Sequence, residues 1–267
     1  MGREESQLST PPDHTKDLNR SQFGANASNY ARSVVHAKGA SLARLVEVVE
    51  PQPDWQALDI ATAAGHTAFA FAPHVAHVIA SDLTPEMVAL AADRAKELGH
   101  QNVSTQLADA ENLPFDDDTF NVVTCRIAPH HFPNPHMFIA EVARVLAPGG
   151  TFAMVDNVVP EDGEVALFCD DWERRRDPSH VGCLSMAEWS RLMTDVGLEI
   201  RIAETAPKRM GFQMWVDNMN VPKDDRPELL TDLLEATPAV RAFLRPEGTA
   251  QDDAIFFLTE GLFVATK

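Results

Sequence analysis

The sequence predicts an α/β fold built on a doubly wound, mostly parallel sheet, and three observations support this prediction. Apolar runs of strand length alternate with segments of helical periodicity between residues 57 and 157. A turn of very small residues, 61–65, follows the first run. An acid, Asp82, ends the second run. A strand, a small-residue turn, a helix and a second strand ending in a carboxylate are typical of a nucleotide-binding unit.

The N-terminal segments precede this unit. Residues 1–20 are rich in Ser, Thr, Pro and Asp, and we expect a disordered tail there. Residues 21–50 carry apolar side chains at mixed three- and four-residue spacing, which predicts helices. The length of 267 residues and the 45% hydrophobic content are compatible with one elaborated domain over residues 21–267.

The central elements follow in alternation. Strands are predicted at 57–60, 77–81, 103–107, 122–126 and 151–157, and helices at 67–72, 85–98 and 135–146, with a short turn at 112–114. Thr84 and Pro85 are a good helix start, and Gly99 is a good stop. Beyond residue 157 we expect helices at 161–175 and 185–196, a strand at 198–204, a helical insertion at 211–245, and a last apolar run at 254–266 interrupted at Glu260 and Gly261.

Composition excludes several classes of function. Forty acidic residues against 22 basic ones give a formal charge of −18, which repels a phosphate backbone, so we expect no nucleic-acid partner. The first 20 residues contain no apolar signal core, and no stretch reaches the roughly 18 apolar residues of a membrane span, which predicts a cytoplasmic protein. Cys125, Cys169 and Cys183 are too few and too scattered for a disulfide framework or a zinc site, and no compact carboxylate cluster suits Mg²⁺. We therefore expect no metal.

The small-residue turn has a physical reason. A ligand can approach the backbone at a strand end only where no bulky side chain intervenes. The helix that follows presents unpaired N–H groups to a polar or anionic part of that ligand. A carboxylate at the end of the next strand can accept hydrogen bonds from both ribose hydroxyls, and Asp82 lies where that acid is expected.

Asp59 followed by Ala61, Ala63 and Gly65 resembles motif I of the class I S-adenosylmethionine-dependent methyltransferases, an acid followed by three alternating glycines. Two of the three glycines are alanine here. Residues 108–115, 118–123 and 141–150 resemble the third-strand acid, the fourth strand and the turn before the fifth strand of small-molecule methyltransferases related to ubiquinone and menaquinone biosynthesis enzymes. The resemblance covers about residues 20–205 well, and the remainder only in outline.

The resemblance implies a seven-stranded Rossmann-like sheet whose last strand is antiparallel, with N-terminal cap helices over residues 21–50 and helical lid insertions over residues 160–195 and 208–250. It implies S-adenosyl-L-methionine as cofactor, with Asp82 on the ribose and Asp109 on the adenine amino group. The cofactor-binding residues that it implies are Tyr30, Asp59, Ala61, Ala63, Gly65, Asp82, Leu83, Asp109, Ala110 and Arg126.

Histidine is the natural candidate for the base that a methyl acceptor needs. Methyl transfer from a sulfonium is an in-line displacement, which the protein assists chiefly by positioning. His130 and His131 follow the fourth strand, where open α/β sheets bind their ligands. His180 is a further candidate if its loop folds back over the cleft. A loop-stabilising role is the alternative for each of the three histidines.

The substrate is predicted less directly. Asp156 and Asn157 end the fifth strand and are expected to orient a polar group of the substrate, with a plain strand-end cap as the alternative. Aromatic residues and methionines, among them Trp172 and Trp215, concentrate in the segments that form the roof of the active site in the family. Either they form an apolar pocket for an aromatic, quinone-like or polyketide-like acceptor, or they are the core of the lid.

The function predicted is therefore methyl transfer to a small molecule, with oxygen, nitrogen or carbon as acceptor atom and homodimerisation left open. The first alternative is an S-adenosylmethionine-binding enzyme of the same fold that performs cyclisation or decarboxylation. The second is an NAD-dependent oxidoreductase, which needs a tighter glycine pattern and lacks the antiparallel end strand. The third is a non-catalytic interaction module, which the retained acids at both cofactor positions disfavour.

Overall fold

The chain was analysed as a computed structural model, which describes residues 12–32 and 39–267, and the side chains of residues 14–24 and 39–267. Within these ranges the fold is a seven-stranded sheet with the strand order β3-β2-β1-β4-β5-β7-β6. The strands are β1 (Gln56–Ile60), β2 (His77–Asp82), β3 (Val103–Leu107), β4 (Phe120–Arg126), β5 (Leu146–Asn157), β6 (Glu199–Gly211) and β7 (Ile255–Thr266).

Strands β1 to β5 pair with one another in parallel. Strand β7 is antiparallel to both β5 and β6. The predicted seven-stranded sheet with an antiparallel last strand is confirmed. The strand order reverses between β1 and β4, so the loops after these two strands diverge and leave a crevice at the carboxyl edge. The site is expected at this edge.

Helices cover both faces of the sheet. They are α1 (Pro12–Arg32), α2 (Ala40–Val49), α3 (His66–Phe71), α4 (Pro85–Leu98), α5 (Pro135–Val145), α6 (Gly163–Arg176), α7 (Met186–Asp195), α8 (Phe212–Asn218), α9 (Arg226–Glu235) and α10 (Pro238–Leu244), with 3-10 turns at Ala72–His74 and Pro129–His131. Among the described residues, no helix is both long enough and apolar enough to cross a membrane.

The predicted boundaries hold for most of the central sheet, except that β5 begins at Leu146 rather than at residue 151, and they fail in the C-terminal part. Helix α4 and strand β3 match their predicted ranges residue for residue. The single insertion predicted over 211–245 is instead three short helices, and two of them begin with proline in the first turn. Strand β7 runs without interruption through Gly261, where a Cβ would approach Met186 and Val158 too closely. The glycine therefore serves close packing rather than a break.

The predicted disordered tail over residues 1–20 is wrong for residues 12–20, which belong to α1; residues 1–11 lie outside the described part of the chain. Asn19 is buried, and Lys16 lies 2.7 Å from carboxylate oxygens of both Asp109 and Glu111. This helix is held by polar contacts rather than by an apolar stripe, which is why composition suggested disorder.

Three apolar clusters hold the layers together. Neighbouring strand residues alternate between the two faces of the sheet, so Leu58 and Val123 pack on one side while Ala57 and Val122 pack on the other. The third cluster lies under α6 and α8–α10, and Trp172 stacks there on Trp215 at 4.0 Å between ring centroids. The C-terminal helices thus form a packed roof beside the carboxyl edge of the sheet.

The turn between β1 and α3 has an unusual backbone. Ala61, Ala63 and Gly65 have φ angles of +53°, +46° and +85°. Left-handed backbone costs a residue with a Cβ roughly 1–2 kcal/mol, and glycine avoids that cost. The alternating small residues of the motif are therefore the three positions of positive φ, and this chain accepts alanine at two of them.

We predict that Gly65→Ala destabilises the protein more than Gly99→Ala does. Both glycines have positive φ, so both variants incur left-handed strain of roughly 1–2 kcal/mol. A Cβ at Gly65 would also overlap the Phe69 ring, whereas nothing lies within 4 Å of a Cβ at Gly99. Urea unfolding of the two variants checks this prediction, and equal losses in the free energy of unfolding would contradict it.

Candidate active site

A cavity opens at the carboxyl edge of the sheet where the strand order reverses. We call one end the turn half; it is lined by the β1–α3 turn, by Asp82–Thr84 and by residues 108–111. We call the other end the histidine half. Its walls come from the segment after β4, the end of β5, α6 with the loop that follows it, β6 and α8; they include Ile127, His130, His131, Asn157, Glu173, Arg176, Asp177, His180, Lys208, Met210, Trp215, Met219 and Leu258.

Asp59 holds the turn half together. Its carboxylate accepts hydrogen bonds from the Thr62 hydroxyl at 2.6 Å, the Thr124 hydroxyl at 2.7 Å and the Ala68 backbone N–H at 3.1 Å. Burial raises the pKa of Asp59 to about 6, while these hydrogen bonds act in the opposite direction. The carboxylate thus holds the backbone of the turn in place.

Asp82 lies at the end of β2, and its side chain lines the cavity. One carboxylate oxygen accepts the backbone N–H of Ala63 at 2.9 Å, and the other accepts that of Thr84 at 2.9 Å. Burial raises the pKa of this carboxyl. The Thr84 side chain and the Leu83 backbone N–H also hydrogen-bond to it and favour its ionised form, so Asp82 lines the cavity as an anionic acceptor. Leu83 lines the cavity beside it.

Asp109 is bound by its own loop and by α1. It accepts the Glu111 backbone N–H at 3.0 Å, and its other oxygen accepts Lys16 Nζ at 2.7 Å. Lys16 also reaches Glu111 at 2.7 Å, and Ala110 lines the same wall. Sequence reasoning missed Lys16 and Glu111, because a charged residue in a polar segment is usually solvated.

The remaining predicted cofactor residues differ in their surroundings. Ala61 and Ala63 line the cavity, but Gly65 does not; it is the N-cap of α3 and packs against Phe69. Arg126 lines the cavity and donates from Nε to the Thr67 hydroxyl at 3.1 Å. Burial lowers the pKa of Arg126, and the charges of Glu260 and Asp59 act against that effect. Tyr30 lies in α1, and its side chain lies outside the described side chains.

Three histidines converge in the histidine half. The ring centroids of His130 and His131 lie 4.3 Å apart, and those of His130 and His180 lie 5.5 Å apart. The loop that carries His180 folds back over the cleft, because the backbone N–H groups of Val181 and Gly182 donate to the His130 carbonyl at 2.9 and 3.2 Å. His180 is therefore a candidate base, since its loop folds back over the cleft as that role requires.

Each imidazole has its own partner. His130 Nδ1 lies 2.6 Å from Asp156 Oδ1, and His131 Nδ1 lies 3.0 Å from the Ser179 carbonyl oxygen. His180 Nε2 lies 2.9 Å from Asp170 Oδ1. When Nδ1 of His130 donates to the carboxylate, the lone pair on Nε2 is left available to accept a proton.

Burial sets the protonation states of this group. Burial, together with the smaller effect of a neighbouring histidine's charge, lowers the pKa values of His130 and His131 to about 3. Burial also raises the pKa of Asp156 to about 7. The two imidazoles are consequently neutral at physiological pH, which is the form that a general base requires.

The four predicted substrate residues divide into two pairs. Asn157 and Trp215 line the cavity, and the Asn157 side-chain oxygen is buried without a hydrogen-bond partner. Asp156 and Trp172 are buried and do not line the cavity: Asp156 lies behind His130, and Trp172 behind Trp215. Successive residues of a strand point to opposite faces, so Asp156 and Asn157 cannot both face the cleft. The structure assigns Asp156 and Trp172 to positioning rather than to contact.

One group of three suitable metal ligands, Asp170, His180 and Cys183, lies within 4.8 Å among the described residues. Asp170 Oδ1 is already 2.9 Å from both His180 Nε2 and the Cys183 backbone N–H. Burial raises the pKa of the Cys183 thiol well above its usual value, which disfavours the thiolate that binds metals. We assign this group no metal.

Comparisons with known proteins place the chain in a family. Residues 58–154 match the family described as a methyltransferase domain. Over 223 residues the chain is 37% identical to YcgJ of Bacillus subtilis, described as an uncharacterized methyltransferase; the match covers 84% of this chain and 88% of that protein. The chain belongs to the class I S-adenosylmethionine-dependent methyltransferases.

Other comparisons agree with this assignment. The crystal structure of Bacillus subtilis YcgJ superimposes with a TM-score of 0.82 at 35% identity, covering 85% of this chain and 97% of that one. The demethylmenaquinone methyltransferase of Clavibacter sepedonicus is 35% identical over 137 residues, which are 51% of this chain and 55% of that protein. The match to the cyclase SpnF covers 99% of this chain and 99% of that one, at 18% identity and a TM-score of 0.64. It shows only that the two proteins share a fold.

Several residues that line the cavity of this methyltransferase have no local signal in the sequence. Glu173, Arg176 and Asp177 line the histidine half although they belong to a charged run at the end of α6. Lys208 reaches the same half from β6. A charged run on a helix is usually a solvated face, so only the tertiary packing reveals these residues.

We predict that the ring nitrogens of His130 and His131 keep the ¹⁵N pattern of a neutral imidazole from neutral pH down to about pH 5, because burial lowers both pKa values to about 3. The unfolded chain binds these protons near pH 6.5, so each histidine reduces stability as the pH falls from 6.5 towards 3. Heteronuclear NMR with His130→Gln and His131→Gln for assignment measures the titration. A midpoint near 6.5 for either ring would contradict this account.

Proposed function

We propose that the enzyme transfers the methyl group of S-adenosylmethionine to a small molecule with an apolar or aromatic body, and that His130 is the base. The observation that carries the proposal is the placement of a buried, neutral histidine, paired with Asp156, in the same cavity as the acids Asp82 and Asp109. A single cavity thus offers both a cofactor site and a proton acceptor.

The turn half fits the cofactor. Asp82 lines the cavity as a carboxylate acceptor at the end of β2, which suits ribose hydroxyls. Asp109 and the backbone of Ala110 line the adjoining wall, where a carboxylate and an N–H group suit an adenine edge. Ala61 and Ala63 keep the turn free of bulky side chains. When bound there, the cofactor supplies a methyl group on a sulfonium.

The histidine half provides proton transfer and positioning. His130 is held through Nδ1 by Asp156, so Nε2 is the nitrogen that would take the proton of a hydroxyl, an amine or an acidic carbon. His131 and His180 are anchored to Ser179 and Asp170 and would orient the acceptor beside it. Asn157, with an unpartnered oxygen, would accept a hydrogen bond from the acceptor. Asp156 acts through His130.

The apolar wall suggests the body of the acceptor. Met210, Trp215, Met219 and Leu258 line the histidine half opposite the histidines. Flexible methionines and a large aromatic surface adapt to a planar apolar molecule. Trp215 is fixed by the stacked Trp172 ring and by its N–H bond to Glu173 at 3.2 Å, so this wall is preformed.

We predict that His130→Gln lowers kcat by about 10²- to 10⁴-fold, because the general base is lost while binding is kept. The measurement is transfer of labelled methyl from S-adenosylmethionine to a panel of small phenols, quinols, amines and hydroxy acids, using the acceptor that reacts. The matched control is His136→Gln, an exposed histidine on α5. The affinity for S-adenosylhomocysteine should stay unchanged in both variants.

An unchanged kcat in His130→Gln would remove His130 from the base role. A wild-type protein that transfers methyl to no member of the panel and also fails to bind S-adenosylmethionine would contradict the proposed function itself.

A further inference from the structure

Arg176 lines the histidine half, and its Nε atom has no hydrogen-bond partner among the described residues. Its side chain is only 16% exposed, and the Nε atom is buried without a hydrogen-bond partner. An arginine carries five N–H donors, and a buried donor that stays unsatisfied is costly. This group is therefore suited to a ligand that supplies acceptors.

Two carboxylates approach Arg176 without satisfying it. Glu173 Oε2 lies 3.3 Å from Nε, and Asp177 Oδ2 lies 4.0 Å from Nη2, both outside hydrogen-bond geometry. Both acids have other partners: Glu173 accepts Trp215 Nε1, and Asp177 accepts the backbone N–H and the hydroxyl of Ser179. These bonds use Glu173 Oε1 and Asp177 Oδ1, whereas Oε2 and Oδ2 face the guanidinium, balance its charge and leave Nε without a hydrogen bond.

The plane of the guanidinium is fixed by Trp215. The Arg176 Cζ atom lies 5.1 Å from the centroid of that ring, a cation–π arrangement. Trp215 is itself held by Trp172 and Glu173. A fixed, planar fork of donors matches a carboxylate with two parallel hydrogen bonds, which a point charge such as lysine does not.

Around the histidine half, cationic side chains lie beside acidic ones. Arg126, Arg176 and Lys208 are opposed by Glu173 and Asp177 and by Glu260, which lies 3.0 Å from Lys208 Nζ. The histidines His130 and His131 add no charge, because burial holds their pKa values near 3. A bound cofactor adds a positive sulfonium, which a negatively charged acceptor would offset.

We propose that the methyl acceptor is an aromatic carboxylic acid whose carboxylate is bound by Arg176. The carboxylate pairs with the guanidinium, the aromatic body lies against Met210 and Met219, and the reactive group faces His130. This inference rests on the proposed function and names the substrate class for the same site.

The test is calorimetric titration of the enzyme loaded with S-adenosylhomocysteine, using benzoate and its neutral isostere benzamide. Wild type should bind benzoate about ten- to a hundredfold more tightly than benzamide, the range expected for hydrogen bonds to a charged group. Arg176→Gln should abolish this preference. Arg176→Lys keeps the charge without the planar fork and should retain only part of the preference.

The matched control is Arg174→Gln, on the same helix. Arg174 is exposed and pairs with Asp171 at 2.7 Å, so its loss should leave the benzoate preference intact. Benzoate and benzamide of equal affinity in wild type, binding of neither, or the same loss of preference in Arg174→Gln would each overturn the inference. If Arg176→Gln fails to fold in a thermal melt, the Arg176→Lys comparison decides.

Failure here is distinguishable from failure of the proposed function. A wild-type protein that binds S-adenosylhomocysteine but shows no preference for benzoate refutes only the carboxylate inference. A wild-type protein that does not bind S-adenosylhomocysteine refutes the function on which the inference rests.

Discussion

The buried carboxylate of Asp59 is the interaction on which the rest of the site depends. It ties the turn after β1 to β4 through Thr124, and it closes the turn through Thr62 and Ala68. Burial raises the pKa of this acid, and the three hydrogen bonds act in the opposite direction by favouring its ionised form. The turn is thereby held in a left-handed backbone that two alanines would not adopt unaided.

Two loops complete the site by binding each other. The segment after β4 carries His130 and His131, and the loop after α6 carries Asp177, Ser179 and His180. Backbone bonds from the second loop to the His130 carbonyl join them, and Asn19 of α1 donates to the His131 carbonyl at 2.9 Å. The placement of the histidines in the histidine half thus depends on three segments that lie far apart in sequence.

Sequence reasoning predicted the sheet, and it singled out Asp82 and Asp109, which line the cavity, because the sheet and these positions have local signals, namely alternating apolar runs and small-residue turns. It failed at α1, a polar helix held by Lys16 and Asn19, which has no apolar stripe. It also placed Asp156 and Asn157 on one face, although the alternation of a strand already separates them. Arg176 has no local signal, because burial of a charge is a property of the tertiary fold.

The measurement that tests the central claim most directly is calorimetric binding of S-adenosylmethionine, S-adenosylhomocysteine and NADH to wild type and to Asp82→Asn. The control is Asp54→Asn, at an exposed position before β1. Wild type and Asp54→Asn should bind the first two ligands and not NADH, and Asp82→Asn should bind them at least about tenfold more weakly, since charged hydrogen bonds to the ribose are lost. Binding of NADH by wild type, or unchanged affinity in Asp82→Asn, would contradict the account.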